Sequence, residues 1–323
     1  MKLRELIVYF MRTLASYGFH PDKSDYSDKA SRNPYEENAR NKSAFNGVPS
    51  GFMELDRVTM GWQPSDLIII AARPSMGKTA FALSMTRNTT IYYHKPVGYF
   101  SLGMSARQLE MRLLVAELGL DSCDLRNGQL SPDQRKHLET SSLTNAPLFI
   151  DDTHALSITE LRSKVNKLKT QHDIQLIVID YLQLMTFDCH DNKRNREQEI
   201  AAILCSLKTI AKEFDLPIIV LSMVSRSRLA SKRPQLSDLD YWKVNDIEQN
   251  VDLVIFIHRP EYYGITVNEN GMATAGVAEL IIAKHRNCAV TNIKLHFLKD
   301  LMRFTEIDDT DQQPDGCTAT TLV

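Results

Sequence analysis

No apolar run in these 323 residues is long enough to span a bilayer, and neither sign of charge is in surplus. Lysine and arginine number 38 against 40 aspartates and glutamates, a formal net charge of −2, so any nucleic-acid contact has to come from local loops. Cysteine is scarce: Cys123, Cys189, Cys205, Cys288 and Cys317 are scattered, odd in number and never in C-x-x-C spacing. That argues against a disulfide framework or zinc site and for a reducing compartment, so a cytoplasmic location is expected. Histidines supply no metal centre either, because His258, His285 and His296 fall in or beside separate strands with no H-x-x-x-H pair. Glu5 and Arg12 interrupt the first apolar stretch, so no signal peptide is expected. Internal repeats are missing, which excludes a solenoid.

Hydrophobic residues make up 43% of the chain, enough for a core in one large α/β domain with extensions or in two modest domains. Leu3, Leu6, Ile7, Phe10, Met11 and Leu14 follow helical spacing and predict an amphipathic helix over 1–19. It packs either on its own domain or on a neighbouring subunit. Residues 20–46 are polar and read as a linker. From 47 to 306, apolar strands alternate with helical patterns, so a mostly parallel twisted sheet flanked by helices is expected. Strands are expected at 97–101, 147–151, 176–180, 217–222, 253–257, 277–283 and 293–298, the last two as an antiparallel edge pair. A helical pair is expected over 125–143, and residues 307–323 read as a disordered acidic tail.

The densest chemistry lies at Leu67 to Phe81. An apolar strand runs into Ala72-Arg73-Pro74-Ser75-Met76-Gly77-Lys78-Thr79, a P-loop with alanine in its first position, followed by an amphipathic helix. Backbone N–H groups from Ser75, Met76, Gly77, Lys78, Thr79 and Ala80 would surround a phosphate. Lys78 adds a point charge on the outer phosphates, and the Thr79 hydroxyl can ligate Mg2+. Ile177-Val178-Ile179-Asp180 is an apolar strand ending in an acid, as a second magnesium partner requires.

Other features are less decided by spacing. Lys284 and Arg286 project the same way after a strand; they suit either an arginine-finger role toward a neighbour's nucleotide or an ordinary solvated strand end. The loop with Lys193, Arg194 and Arg196 also carries acids. The stretch 216–237 carries Arg226, Arg228, Lys232 and Arg233, and its loop could pair with single-strand phosphates or simply stay solvated.

Together several stretches resemble the C-terminal ATPase domain of DnaB-type replicative DNA helicases. They include Gly47-Val48-Pro49-Ser50-Gly51-Phe52, Gly61-Trp62-Gln63-Pro64, the P-loop, Asp180-Tyr181-Leu182-Gln183-Leu184-Met185, His258-Arg259-Pro260-Glu261-Tyr262-Tyr263 and Lys284-His285-Arg286-Asn287. The resemblance implies a RecA-like P-loop NTPase fold and an ATP- and Mg2+-dependent enzyme moving 5′-to-3′ on single-stranded DNA in DNA replication. It implies a hexameric ring in which Lys284 and Arg286 act in trans, with Arg194, Arg196 and Arg226 toward DNA. A primase or helicase loader would be the partner, and no membrane is involved.

The departures from the family pattern are local. Gly103 stands where the family has a water-polarising glutamate, and Met223 where it has a γ-phosphate-sensing glutamine. Asp240 to Asp246 replaces a short DNA-contacting turn, and Cys288 replaces a glycine. Residues 1–46 do not match the family's primase-interacting domain. Glu110 is one candidate for a substitute base, but it lies two helical turns from position 103 and is poorly placed. These changes open a second reading, a ring subunit that binds ATP but hydrolyses it slowly. A third is a RecA-like ATPase of recombination or signalling, against which the 180–183 and 284–286 stretches count.

Overall fold

The computed structural model describes residues 46–119, 141–187, 195–224, 233–239, 249–267 and 271–307, with Leu3, Glu5 and five positions between 131 and 137. Nine strands form one sheet: β1 (Leu67–Ala72), β2 (Val97–Ser101), β3 (Leu148–Asp151), β4 (Leu176–Asp180), β5 (Ile218–Met223), β6 (Leu253–His258), β7 (Val277–His285), β8 (Thr291–Leu298) and β9 (Arg303–Thr305). Their order is β3-β2-β4-β5-β1-β6-β7-β8-β9. From β3 to β6 every pairing is parallel, and from β6 to β9 every pairing is antiparallel. The expected parallel sheet with an antiparallel edge is therefore present.

The helices α1 (Met53–Thr59), α2 (Lys78–Ile91), α3 (Ala106–Leu118), α4 (Ile158–His172) and α5 (Arg196–Phe214) cover both faces. Strand alternation decides which face each side chain serves. Ile68, Ile70, Val178, Ile219 and Leu221 join Leu55, Phe81 and Leu113 in one core. Leu67, Ile69, Ile177, Ile179, Ile218 and Val220 join Leu161, Val165, Ile203 and Leu207 in the other. Ser105 caps α3, accepting from the Gln108 N–H while the Gln108 side chain accepts from the Ser105 N–H. Among the described residues no helix is long and apolar enough to cross a membrane.

Three expectations change. The helix after the P-loop is not amphipathic: every residue of α2 from Ala80 to Ile91 is buried. Phe52 stacks on Phe81 at 5.3 Å, Phe304 meets Phe81 edge-on at 5.5 Å, and the Phe304 N–H donates to Ser84 Oγ at 3.0 Å. Strand β7 runs on through Lys284 and His285, which pair with Val254 and Leu253. Strand β9 is an additional element, set by pairing of Phe304 with Phe297.

Leu3 is helical and buried in the α2-side core. Apart from Glu5, the other residues of the expected 1–19 helix, the expected linker up to 45, most of 125–140 and the expected tail from 308 lie outside the described residues.

Candidate functional site: a P-loop at one end of the sheet and a cation pair at the other

Strand β1 delivers Ala72 to the carboxyl edge of the parallel sheet, where ligands of open α/β sheets bind. The loop turns sharply because Ser75 and Gly77 adopt left-handed backbone, φ 65° and 95°. Glycine is required at 77 twice over: a side chain would strain that φ, and its Cβ would lie 3.1 Å from the Phe304 ring. The first helical bond runs from the Phe81 N–H to the Gly77 carbonyl at 2.8 Å. The N–H groups of Lys78, Thr79 and Ala80 therefore open the helix with no carbonyl one turn back, the arrangement that receives an anion. Met76 is buried, so its share in such a cradle is its backbone; Ser75 is exposed.

Lys78 bends back over the loop and donates from Nζ to the Ala72 carbonyl at 3.2 Å. Burial pulls its pKa below the usual lysine value, opposed by the charge of Asp180. The Thr79 hydroxyl donates to Asp180 Oδ2 at 2.8 Å, joining residues 101 positions apart. The Tyr99 hydroxyl donates to the same oxygen at 3.1 Å. Burial raises the Asp180 pKa, and Thr79, Tyr99, Lys78 and Arg112 offset part of that rise. No motif marks Tyr99: a tyrosine in an apolar strand reads as core, and only the pairing of β2 with β4 brings it beside Asp180. Thr79 and Asp180 offer adjacent hard oxygens beside a lysine, a donor set that fits Mg2+.

Immediately beside this cluster the Leu102 N–H donates to the Asp180 carbonyl at 2.7 Å, so position 103 lies next to the Asp180 strand end. Gly103 is exposed, and its ordinary φ leaves room for a side chain; a Cβ there would meet Tyr181 Cε1 at 3.3 Å and Leu184 Cδ1 at 3.4 Å. The other candidate acid is Glu110. That carboxyl is buried in α3, its pKa pushed up to about 7 by burial despite the opposing charge of Arg107. At β5, Gln183 Nε2 donates to Ser222 Oγ at 3.0 Å and Gln183 Oε1 accepts from the Met223 N–H at 3.3 Å. A glutamine amide thus stands at the end of β5, though it comes from the turn after β4.

Lys284 and Arg286 are at the other end of the sheet. Lys284 pairs with Val254 near the start of β6, and Asp252, just before β6, accepts from the Leu67 N–H at the start of β1. The P-loop leaves the far end of that same β1, about five strand steps of about 3.3 Å away. These cations cannot serve the phosphate cradle of their own chain. Lys284 Nζ donates to the Val251 carbonyl at 2.6 Å, and Arg286 to Asp252 Oδ1 at 3.1 Å.

The family profile described as "DnaB-like helicase C terminal domain" matches residues 47–306. The chain belongs to the DnaB-type helicase family. It is 42% identical over 278 residues to the replicative DNA helicase DnaB of Geobacillus stearothermophilus, covering 84% of this chain and 59% of that protein. It is 52% identical over 205 residues to the DnaB of Rhodothermus marinus, covering 60% of this chain and 21% of that protein. The chain thus spans less than two thirds of the length of these relatives. Among solved structures it is similar to an isolated ATPase domain, with TM-score 0.74 and 32% identity, covering 84% of this chain and 95% of that one. A DnaB-like replicative helicase solved in a study of its interactions with primase matches at TM-score 0.74 and 28% identity, covering 95% of this chain and 77% of that one.

Within this DnaB-type domain the expected DNA-facing residues separate. Arg194 and Arg226 lie outside the described residues, as does the 240–246 segment. Arg196 opens α5 but folds inward: Nη2 donates to the Gln183 carbonyl at 2.9 Å and Nη1 to Glu199 Oε2 at 2.5 Å. Its guanidinium holds the turn after β4. Arg233 likewise grips both oxygens of buried Glu279 at 2.9 Å. Isolated basic residues in a loop gave no sign of either bond, since the groups they grip come together only in the folded chain.

Proposed function

We propose that this chain is the motor domain of an ATP-dependent replicative DNA helicase, cytoplasmic and assembled as a hexameric ring. ATP would lie in the Ser75–Ala80 cradle, Lys78 holding its outer phosphates. Thr79 and Asp180 would hold Mg2+, which when bound neutralises phosphate charge. Lys284 and Arg286 would reach the nucleotide of the neighbouring subunit, stabilising charge on the transferred phosphoryl group. Arg194, Arg226 and, less directly, Arg196 would line a path for single-stranded DNA, with 5′-to-3′ movement and a primase or loader as partner.

One observation carries this reading: the Thr79 and Asp180 side chains meet at 2.8 Å beside Lys78, while Lys284 and Arg286 occupy the opposite sheet end. Each chain then holds two half-sites that only a head-to-tail ring completes. The test is ATP turnover with and without single-stranded DNA, beside nucleotide titration and size measurement with a non-hydrolysable ATP analogue. A ring-sized, nucleotide-binding ATPase is expected, with turnover that DNA raises but that stays well below about 10 s⁻¹; a strict monomer under those conditions overturns the trans arrangement.

A second reading has its own observation. Gly103 places no carboxylate beside the Asp180 strand end, and the Glu110 carboxyl is buried in α3. A ring of these subunits would bind MgATP fully yet turn it over slowly on its own.

A further inference from the structure

The sheet end opposite the P-loop holds a charge cluster that phosphate binding in the same chain does not use. Asp252 is 4% exposed and lies just before β6. Its Oδ2 accepts from Lys208 Nζ of α5 at 2.5 Å and from the Leu67 N–H of β1 at 2.9 Å. Its Oδ1 accepts from Arg286 Nη1 at 3.1 Å. The Arg286 N–H also donates to the Asp252 carbonyl at 2.9 Å, so backbone and side chain of the arginine are both tied to one residue. Burial works against ionisation of Asp252, but the Lys208 and Leu67 hydrogen bonds and Arg286 outweigh it and hold the carboxyl below its usual range. Asp66, also in the cluster, is pushed up to about 6 by burial and by Asp252, against Lys208 and Arg286.

The asymmetry of the ion pair is informative. Asp252 is anchored by α5 and β1 and by the chain leaving β7, whereas the Arg286 side chain is 56% exposed. A guanidinium that only stabilised the fold would gain little from such an exposed pairing. A guanidinium that has to meet a ligand outside the chain needs one immobile partner and a solvent-facing edge. Arginine presents five N–H donors in a rigid fork, so one edge can rest on Asp252 while the other stays available.

We propose that Asp252 is a positioning residue for Arg286: it fixes the fork in the orientation from which it meets the terminal phosphate of the adjacent subunit's nucleotide. Lys208 and the Leu67 N–H hold Asp252 itself. This deepens the trans arrangement proposed above and rests on it. A misaimed arginine would remain on its strand but lose transition-state contact, at a cost of about tenfold to a hundredfold in rate.

The test uses the full chain assembled with nucleotide, and reads ATP turnover together with affinity for ADP–aluminium fluoride, which does not depend on turnover. Asp252→Asn should lower kcat and weaken the aluminium fluoride complex by about tenfold or more, with ADP affinity unchanged. In an Arg286→Ala background the same substitution should have no further effect on either readout, although it still lowers the melting temperature. Additive losses in the double variant would overturn the proposal. Lys208→Met removes one of the two holds on the same carboxylate but leaves the Leu67 N–H and the Arg286 pairing in place; it should destabilise the fold yet weaken the aluminium fluoride complex less than Asp252→Asn does, and a loss equal to that of Asp252→Asn would make the role merely structural. If unpaired Lys208 prevents Asp252→Asn from folding, Asp252→Asn/Lys208→Met removes both charges and is read in the same way.

Mixing separates this proposal from the reading beneath it. Rings mixed from Arg286→Ala and Lys78→Ala subunits should bind ADP–aluminium fluoride more tightly than either parent, because intact cradles then face intact arginines. No gain there overturns the trans arrangement. Gain there, but none when Asp252→Asn replaces Arg286→Ala, overturns the positioning role alone.

Discussion

Position 103 offers the sharpest perturbation. Gly103→Glu should be tolerated by the fold: φ is not left-handed, and a Cβ would press on Tyr181 and Leu184 only at 3.3 and 3.4 Å. Replacing glycine also reduces the freedom of the unfolded chain, worth about 0.4–1 kcal/mol, which offsets that small squeeze. Net stability should change little. Catalysis should change much more. General-base assistance contributes about 10²–10⁴ in rate, or about 2.7–5.4 kcal/mol of barrier. A newly installed carboxylate is not placed as well as a native one, so a gain of about tenfold to a hundredfold is expected. The assay is steady-state ATP turnover with saturating single-stranded DNA, alongside nucleotide affinity and melting temperature. Gly103→Gln, equal in size but unable to take a proton, should give no gain. Two results would refute the reasoning: an unsubstituted chain that already runs at about 10 s⁻¹, the ordinary enzyme range, or a Gly103→Glu variant that folds and binds ATP equally well yet is no faster.

Three further outcomes are expected. Asp180→Asn should weaken Mg2+-dependent nucleotide affinity by about tenfold to a hundredfold while leaving metal-free ADP binding nearly intact, checked by titration with and without Mg2+. Gly77→Ala should lower the melting temperature and abolish tight nucleotide binding, since φ 95° and the Phe304 ring at 3.1 Å both oppose a side chain; wild-type affinity in this variant would show that the loop has another conformation available. Asp56, Asp66 and Glu110 have pKa values raised by burial to about 7, 6 and 7. The folded state therefore binds protons that the unfolded state releases, and this stabilisation is complete below the ordinary carboxyl range and lost as pH rises through about 6–7. The melting temperature should rise from about pH 8 to about pH 6.5, below which His258 and His285, their pKa values lowered by burial, work against the trend; Glu110→Gln should flatten the rise, and no rise over that range in the unsubstituted protein contradicts the burial argument.

The parallel half of the fold was legible because its strands are short continuous apolar runs, buried on both faces, each closed by a polar switch. Asp180 was legible for the same reason, as an acid ending such a run. Strand β9 was not: Arg303-Phe304-Thr305 carries one apolar residue, and its reason for being a strand is Phe304 meeting Phe297 across the ladder and Phe81 beneath. The extension of β7 was hidden because Lys284 and His285 are polar, yet they continue to pair beyond the irregularity at Val254/Ile255. Arg196 shows the reverse failure. A basic residue in a polar stretch reads as solvated, whereas its fork closes on carbonyls that come together only after β4 ends.

The charge cluster at the starts of β1 and β6 is the part that sequence pattern could least suggest, and the proposed trans arrangement rests on it. Two carboxylates, Asp66 and Asp252, share a partly dehydrated space with Lys208 and Arg286. Well-packed apolar residues often stabilise such a position as well as a buried ion pair does, because desolvation consumes much of the Coulombic attraction. The central strands follow that rule between their ends: the interiors of β1, β4 and β6 are apolar, and that of β5 carries one polar residue, Ser222. At the two ends of these strands charge is retained, around Lys78 and Asp180 at one and around Arg286 and Asp252 at the other. In an isolated protomer the second cluster has no substrate to act on. In the proposed head-to-tail ring the same two ends would face each other, and the second cluster would complete the first.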